Sequence, residues 1–132
     1  IASNDADRAF YSMFAEMASS KKWLNLWIAS IESVPVSFEF KLIYKNKAYS
    51  VKIGYDERYS KLSPGVFLDS FTLKDSFLCG HSEYDFLGLN DKYKMKWTDL
   101  ARTHYRYWIF GDSSYSKILS FLELKIISNI KN

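Results

Sequence analysis

The sequence has few of the residues that form disulfide bonds or bind structural metal ions. Its 132 residues include one cysteine, Cys79, and two histidines, His81 and His104. A disulfide framework and a Cys-rich zinc site are therefore excluded, and we expect no bound metal. Neither histidine lies beside a serine or cysteine in the pattern of a nucleophile elbow. Five glycines and two prolines also exclude collagen-like repeats and low-complexity linkers.

An excess of charge and a long apolar run are absent as well. The formal net charge of +3 permits an anionic ligand but does not indicate nucleic acid as a partner. No apolar run reaches the length of a membrane span, about 18 residues, and no secretory pattern is present. We therefore expect a cytoplasmic protein that does not span a membrane.

What the chain does contain is enough apolar side chain for one core. Hydrophobic residues make up 48% of the sequence and aromatic residues 18%, which favours a single globular domain over residues 1–132. The chain begins with Ile1 rather than methionine. We expect it to be a piece of a longer protein, whose upstream half is then a partner of this domain.

The first half of the sequence predicts a helix followed by an antiparallel meander. Apolar residues recur at helical spacing after a cap at Asn4 or Asp5: Ala6, Phe10, Met13, Phe14 and Met17. Strand patterns follow at Trp23–Ile31, Val34–Tyr44 and Lys47–Tyr55, the first apolar on both faces and the other two alternating. Lys45 and Asn46 form the tight link of a hairpin.

The second half predicts two more helices and two more strands. Ser63 as cap, Pro64 at the first position and Gly80 after the end delimit a helix whose inward stripe is Phe67, Leu68, Phe71 and Leu78. Short strands are expected at Glu83–Leu87 and Arg102–Phe110. A final helix with Tyr115, Ile118, Leu119, Leu122 and Ile126 on one face completes the order α-β-β-β-α-β-β-α. The fold class is α+β, or mixed α/β, with helices flanking a mostly antiparallel sheet.

The junction of strand and helix at Ser63-Pro64-Gly65 is the first candidate site. A helix N-terminus carries free amide hydrogens and the positive end of the helix dipole, and Gly65 has no side chain to block a ligand. This geometry suits a phosphate or pyrophosphate, with Arg58 and Lys61 adding charge. The alternative is a helix start that binds nothing, since many helices begin in this way.

The second candidate site follows the predicted strand Glu83–Leu87. Asp85 precedes a glycine turn and could orient or deprotonate a substrate, Tyr93 could donate a proton, and Lys94 could pair with an anion. The alternative makes Asp85 a cap at the strand end and Lys94 a surface charge. Basic residues also cluster at Lys41–Lys61 and Lys92–Arg106 with aromatics between them. That pattern is compatible with single-stranded nucleic acid, but charged strand faces explain it better.

The motifs together resemble the acetyltransferase-like domain of the GNAT superfamily. The residues that carry the resemblance are Tyr55-Asp56, Tyr59, Leu62-Ser63-Pro64-Gly65, Tyr84-Asp85-Phe86, Gly88, Tyr93-Lys94 and Trp97. They are most similar to the CelD/BcsL-type branch, which is linked with cellulose and exopolysaccharide synthesis. Fem-type peptidyltransferases, which use aminoacyl-tRNA, share this architecture.

The resemblance implies an acyltransferase that uses acetyl-CoA or another acyl-CoA as donor and an amine or hydroxyl as acceptor. It implies donor contacts along a bulged strand and at the helix start, from Ile53, Tyr55, Ser63, Pro64, Gly65 and Val66. Asp85, Tyr93 and Lys94 are then the catalytic candidates. Only Gly65 remains of the superfamily's glycine-rich loop. A non-catalytic binding module and a Fem-like transferase therefore stay open as alternatives.

Overall fold

The computed structural model describes residues 4–103, 105, 107 and 109–122. The chain divides into two compact units, Ile1–Asp99 and Leu100–Asn132. The elements of the first unit are α1 (Asp5–Ser20), β1 (Leu24–Ile31), β2 (Val34–Tyr44), β3 (Lys47–Tyr55), α2 (Pro64–Leu78) and β4 (Glu83–Asp85), with short 3-10 helices at Glu57–Leu62 and Lys94–Lys96. These elements confirm the mixed α+β class.

One mixed sheet forms the centre of the first unit. Its strand order is β1-β2-β3-β4, with the first two pairs antiparallel and the β3–β4 pair parallel. Lys45 and Asn46 link β2 to β3 with positive φ angles of 48° and 60°, as the predicted tight hairpin requires. The expectation that both faces of β1 are covered is wrong, because one face is only partly buried. Leu26 and Ile28 are about half exposed.

The apolar face of the sheet carries α1. The Asn4 side chain caps this helix by accepting a hydrogen bond from the Asp7 amide at 2.8 Å. The rings of Tyr11 and Phe14 pack on Phe40 of β2, at centroid distances of 6.2 and 5.4 Å. Of the five apolar residues that recur at helical spacing on α1, Phe14 is half-buried, whereas Ala6, Phe10, Met13 and Met17 are exposed. Aromatic packing through Phe40 therefore holds the helix on this face.

The opposite face carries α2, and the interface is polar. Of the predicted inward stripe only Leu68 is buried, whereas Phe67, Phe71 and Leu78 are exposed. The buried side of the helix is formed by Pro64, Leu68, Asp69, Thr72 and Ser76. These residues face the polar side of β2, where Ser37, Glu39 and Lys41 are also buried. The prediction failed because it assumed an apolar interface.

A bulge in β3 changes which of its residues face α2. Lys41 pairs with Ser50 but Phe40 pairs with Lys52, so Val51 is the extra residue. Because paired residues share a face, Ile53 and Tyr55 lie on the same side as Glu39 and Ser37. The expected strict alternation of β3 is therefore wrong beyond Ser50, and the bulge implied by the GNAT resemblance is present.

The second unit contains the helix α3 (Ser114–Phe121). Ser113 caps it, with Oγ accepting from the Ser116 amide at 3.2 Å. The predicted strand Arg102–Phe110 is wrong for the described residues of that segment, none of which is in a strand. Tyr105 and Tyr107 are about four-fifths exposed there. His104, Arg106, Trp108 and Ile126 lie outside the described residues.

Candidate functional site

The start of α2 forms a corner whose amides no side chain caps. Ser63 occupies the cap position with left-handed backbone angles, φ 49° and ψ 49°, and its side chain makes no capping hydrogen bond. The expected Ser63 cap is therefore only positional. A methyl group built on Gly65 would meet only Tyr55 Cδ1, at 3.7 Å. The corner thus presents amide hydrogens and a helix dipole to a ligand without obstruction.

The corner is fixed to the sheet by Ser37. Its buried hydroxyl donates to the Pro64 carbonyl at 3.0 Å, and Pro64 is itself buried. Ser37 also lines an open groove of about 590 Å³, together with Phe38, Lys52, Ile53, Gly54 and Tyr55. All residues that line this groove belong to the three antiparallel strands and the residue after β3, and none is from α2. The predicted donor residues Ile53 and Tyr55 line it, whereas Ser63, Pro64, Gly65 and Val66 do not, although Tyr55 lies close to Gly65.

Gly54 leaves room for the ring of Phe38, which lies on the neighbouring strand β2 at the groove wall. A Cβ atom at this position would lie 2.5 Å from Phe38 Cε1, closer than two carbon atoms can approach without displacement. The Phe38 ring therefore lies against the bare backbone of β3. Absence of a side chain at Gly54 keeps the ring and the strand in contact at the groove wall.

Beyond its first residues β3 has a free edge. Its parallel pairing with β4 consists of Lys47–Glu83, Ala48–Tyr84 and Tyr49–Asp85. From Ser50 to Tyr55 no strand among the described residues pairs with β3 on that side. The two strands therefore separate after Asp85, and backbone amides and carbonyls of β3 are left to contact an extended ligand.

The predicted catalytic residues meet around the turn that follows β4. Asp85 is the last residue of the strand, and its Oδ1 accepts from the Leu87 amide at 2.8 Å. Lys94 is buried, and its ammonium donates to the carbonyls of Leu87 (2.8 Å) and Leu89 (3.0 Å) and pairs with Asp91 (2.8 Å). Lys94 is therefore not a surface charge, and in this arrangement it holds the turn after Asp85.

Tyr93 is half-buried beside this lysine. The Lys94 ammonium lies 5.5 Å from the centre of the Tyr93 ring. Burial raises the pKa of the Tyr93 phenol, while the Lys94 charge acts in the opposite direction. Since the phenol keeps its proton at neutral pH, Tyr93 can serve as a hydrogen-bond donor near the strand end.

A comparison with protein families identifies the family to which this domain belongs. The model described as Acetyltransferase (GNAT) domain matches residues 1–95. The match covers more than two thirds of the 132 residues and all four strands.

The chain belongs to the GNAT acetyltransferase family. No curated protein and no solved structure matches it significantly. Membership makes this an acyltransferase domain of the GNAT type, as the sequence motifs indicated. The four-stranded mixed sheet with helices on its faces agrees with that family. The assignment to the CelD/BcsL-type branch stays a prediction.

Several cations of the GNAT domain are engaged internally and do not form a free basic surface. Lys41 is completely buried, and Lys47 pairs with Glu83 at 2.6 Å. Arg58, which was expected to add charge at the corner, forms two short bonds to Asp56 of its own loop. This bonding lowers the pKa of Asp56. Of the two cations expected to add positive charge at the start of α2, the exposed Lys61 is therefore the one that remains a candidate.

The sequence analysis missed a buried polar cluster between α2 and the sheet. Glu39 is completely buried and accepts a short hydrogen bond from the Tyr84 hydroxyl, which also lies 3.3 Å from Thr72 Oγ1. Lys41 Nζ donates to the Thr72 carbonyl at 3.3 Å and to Ser76 Oγ at 3.4 Å. The signal was available, because Asp69, Thr72 and Ser76 recur at helical spacing on α2.

Burial shifts the titration of this cluster. It raises the pKa of Asp69 to about 6, with the negative charge of Glu39 acting in the same direction. It also raises the pKa of Tyr84 far above its ordinary value and lowers that of Lys41. Glu39 Oε2 and Trp97 Nε1 are buried without hydrogen-bond partners. The cluster is therefore charged, buried and incompletely satisfied, which is uncommon for a purely structural interface.

Among the described residues, no helix combines the length and apolarity needed to cross a membrane.

Proposed function

We propose that this GNAT domain transfers an acyl group from acetyl-CoA or another acyl-CoA to an amine or hydroxyl acceptor. The observation that carries the proposal is the first turn of α2, which Ser63 does not cap with its side chain and whose Gly65 lies close to Tyr55 at the end of β3. Its amide hydrogens and dipole suit the pyrophosphate of the donor. The free edge of β3 suits its extended pantetheine arm.

The bound donor would supply a thioester carbonyl, and the residues of this chain would orient and polarise it. Backbone amides of β3 beyond Ser50, where no described strand pairs with it on that side, would hydrogen-bond the arm and the carbonyl oxygen. The acceptor nitrogen or oxygen attacks, its new bond to the acyl carbon replaces the carbon–sulfur bond, and its proton passes finally to the sulfur or to solvent. Catalysis then rests on orientation and polarisation.

Asp85 is the proposed residue for orienting or deprotonating the acceptor. It ends β4 where that strand separates from β3. Tyr93 would donate a hydrogen bond to the leaving group, and Lys94 would bind its charge or keep the turn in place. We propose a sugar or cell-envelope precursor as the acceptor, because the motifs resemble the polysaccharide-linked branch.

Titration with CoA and acetyl-CoA tests donor binding. At a ligand concentration 100 times the dissociation constant, the free energy of unfolding should rise by about 2.7 kcal/mol. The measurements are calorimetry and thermal unfolding. Absence of binding at millimolar CoA would favour the alternative, a non-catalytic module with this fold.

Gly65 provides a matched pair of variants for the same titration. Gly65→Glu places a carboxylate at the helix N-terminus, where it favours the helix but repels a pyrophosphate. We expect it to weaken CoA binding by at least about tenfold without lowering the melting temperature. Gly65→Gln, similar in size and neutral, should weaken binding less. Equal losses in both variants would indicate steric blocking and remove the electrostatic role of the corner.

Asp85→Asn should reduce turnover at least about tenfold, because the amide cannot accept a proton from the acceptor. The assay follows CoA release from acetyl-CoA with a panel of amine and sugar acceptors. Asp99→Asn, at an exposed aspartate, is the matched control and should leave the rate unchanged. An unchanged rate in Asp85→Asn would remove Asp85 from the mechanism.

A further inference from the structure

The side chain of Tyr84 ties the last strand of the sheet, β4, to elements beyond its neighbour β3. Its hydroxyl donates a hydrogen bond to Glu39 of β2 and lies 3.3 Å from Thr72 Oγ1 of α2. Since β3 lies between β4 and β2 in the sheet, the side chain of Tyr84 crosses β3. Its partner on β3 is Ala48, which is completely buried and leaves room for this crossing because its side chain is small. Tyr84 therefore joins β4 to both β2 and α2.

The backbone pairing of β4 alone is short. It consists of three residue pairs with β3, and an ion pair at 2.6 Å between Lys47 and Glu83 supports its first residue. On its other side no strand among the described residues pairs with β4. Glu39 and Thr72, by contrast, are completely buried, and a hydrogen bond away from water is stronger than an exposed one. The bonds of the Tyr84 hydroxyl therefore limit how far β4 can move relative to β2.

The turn that follows β4 depends on the position of that strand. Asp85 accepts a hydrogen bond from the Leu87 amide, and Lys94 donates to the carbonyls of Leu87 and Leu89. These bonds join residues of the turn to one another and do not reach the other strands. We therefore expect the turn to move with β4, so that a displacement of β4 carries Asp85 with it.

We propose that Tyr84 is a positioning residue for acyl transfer and acts through Asp85. Its bond to Glu39 fixes the direction in which β4 leaves β3, and so the place of the Asp85 carboxylate relative to an acyl donor on the free edge of β3. The inference rests on the proposed function, in which Asp85 orients or deprotonates the acceptor. Misplacing a reacting group by about 1 Å can cost about a hundredfold in rate, so a hydroxyl group remote from the chemistry can have a large effect.

Tyr84→Phe tests the proposal, because it removes the hydroxyl and keeps the ring that packs on Phe86 at 4.9 Å. The assay follows CoA release from acetyl-CoA with a panel of amine and sugar acceptors. We expect kcat to fall at least about tenfold, with the KM for acetyl-CoA within about twofold of the wild-type value. A merely structural role would lower the melting temperature and leave the kcat of the folded protein unchanged. Tyr44→Phe, at an exposed tyrosine of β2, is the matched control and should change neither constant.

Glu39→Gln tests whether the effect runs through the bond between Tyr84 and Glu39. The amide keeps an oxygen that can accept from the Tyr84 hydroxyl, so kcat should fall less than in Tyr84→Phe. In the Tyr84→Phe background the same change should have no further effect, because the bond is already absent. Losses that multiply in the double variant, or an unchanged kcat in Tyr84→Phe, overturn the proposal.

Hydrogen exchange of the backbone amides gives a readout that needs no turnover. In Tyr84→Phe we expect exchange in residues 83–87 to become at least about tenfold faster, because β4 opens more readily, while exchange in β1 stays as in the wild type. Unaltered exchange in residues 83–87 overturns the anchoring of β4 by Tyr84. If the wild type releases no CoA with any acceptor, the proposed function fails, and the exchange result alone decides whether Tyr84 anchors β4.

Discussion

Lys41→Met should lower the free energy of unfolding by about 3 kcal/mol, the loss expected when one member of a buried charged group is removed. Methionine keeps the length of the side chain, so packing between Trp27 and Tyr84, whose rings flank the ammonium at 5.7 and 5.3 Å, changes little. The Glu39 carboxylate, however, stays buried without its cation, and Thr72 and Ser76 lose a donor. Urea unfolding at neutral pH measures the change.

Two further variants identify the cause of that loss. Lys61→Met, at an exposed lysine, should change stability by no more than about 0.5 kcal/mol. The double variant Lys41→Met with Glu39→Gln should recover much of the lost stability, because no carboxylate then remains without a counter-charge. Additive losses in the double variant would show that Lys41 and Glu39 act independently and contradict the charge explanation.

Stability should also fall as the pH rises from about 4 to about 7, by about 1 to 3 kcal/mol from Asp69 alone. The folded state raises the pKa of this carboxyl from 3.8 to about 6, so it holds the proton more tightly than the unfolded chain does. The resulting stabilisation is complete below the unfolded pKa and is lost as the pH passes the folded one. Denaturant unfolding across this range measures the slope.

Comparison with Asp69→Asn isolates this contribution. The variant should lack the fall between about pH 4 and pH 7 and be at least as stable as the wild type above pH 7. Asp56 contributes with the opposite sign, because its pKa is lowered by Arg58 and its stabilisation is lost as the pH falls. This slope is common to both proteins and cancels in the difference. Identical pH profiles for the two proteins would contradict the burial of an ionisable Asp69.

The parts of the fold that sequence predicts are those fixed by local backbone chemistry. The hairpin at Lys45 and Asn46 and the end of α2 at Gly80, with φ of 70°, depend on residues that adopt left-handed backbone or cap a helix. The start of α2 was predicted for the same reason, since Pro64 and Gly65 mark a helix start. Local signals also placed Asp85 in a short strand, although that strand ends at Asp85 and not at the predicted Leu87.

The parts that sequence did not predict depend on partners far along the chain. The inward face of α2 was assigned to Phe67 and Phe71, because an apolar stripe was expected to face the sheet. The polar stripe of Asp69, Thr72 and Ser76 faces it instead, since β2 supplies matching polar groups. The bulge at Val51 was likewise hidden in β3's own pattern, because register with β2 defines it. Both errors concern pairing between elements, which no single segment specifies.

The turn after β4 owes its shape to one ammonium group and to main-chain atoms. The Lys94 ammonium donates hydrogen bonds to the main-chain carbonyl oxygens of Leu87 and Leu89. The side chain of Leu89 is largely exposed to solvent. Residues there can therefore be exchanged for others while the loop keeps its form. Substitution of such an exposed side chain therefore leaves in place the main-chain bonds that keep the turn folded beside Asp85.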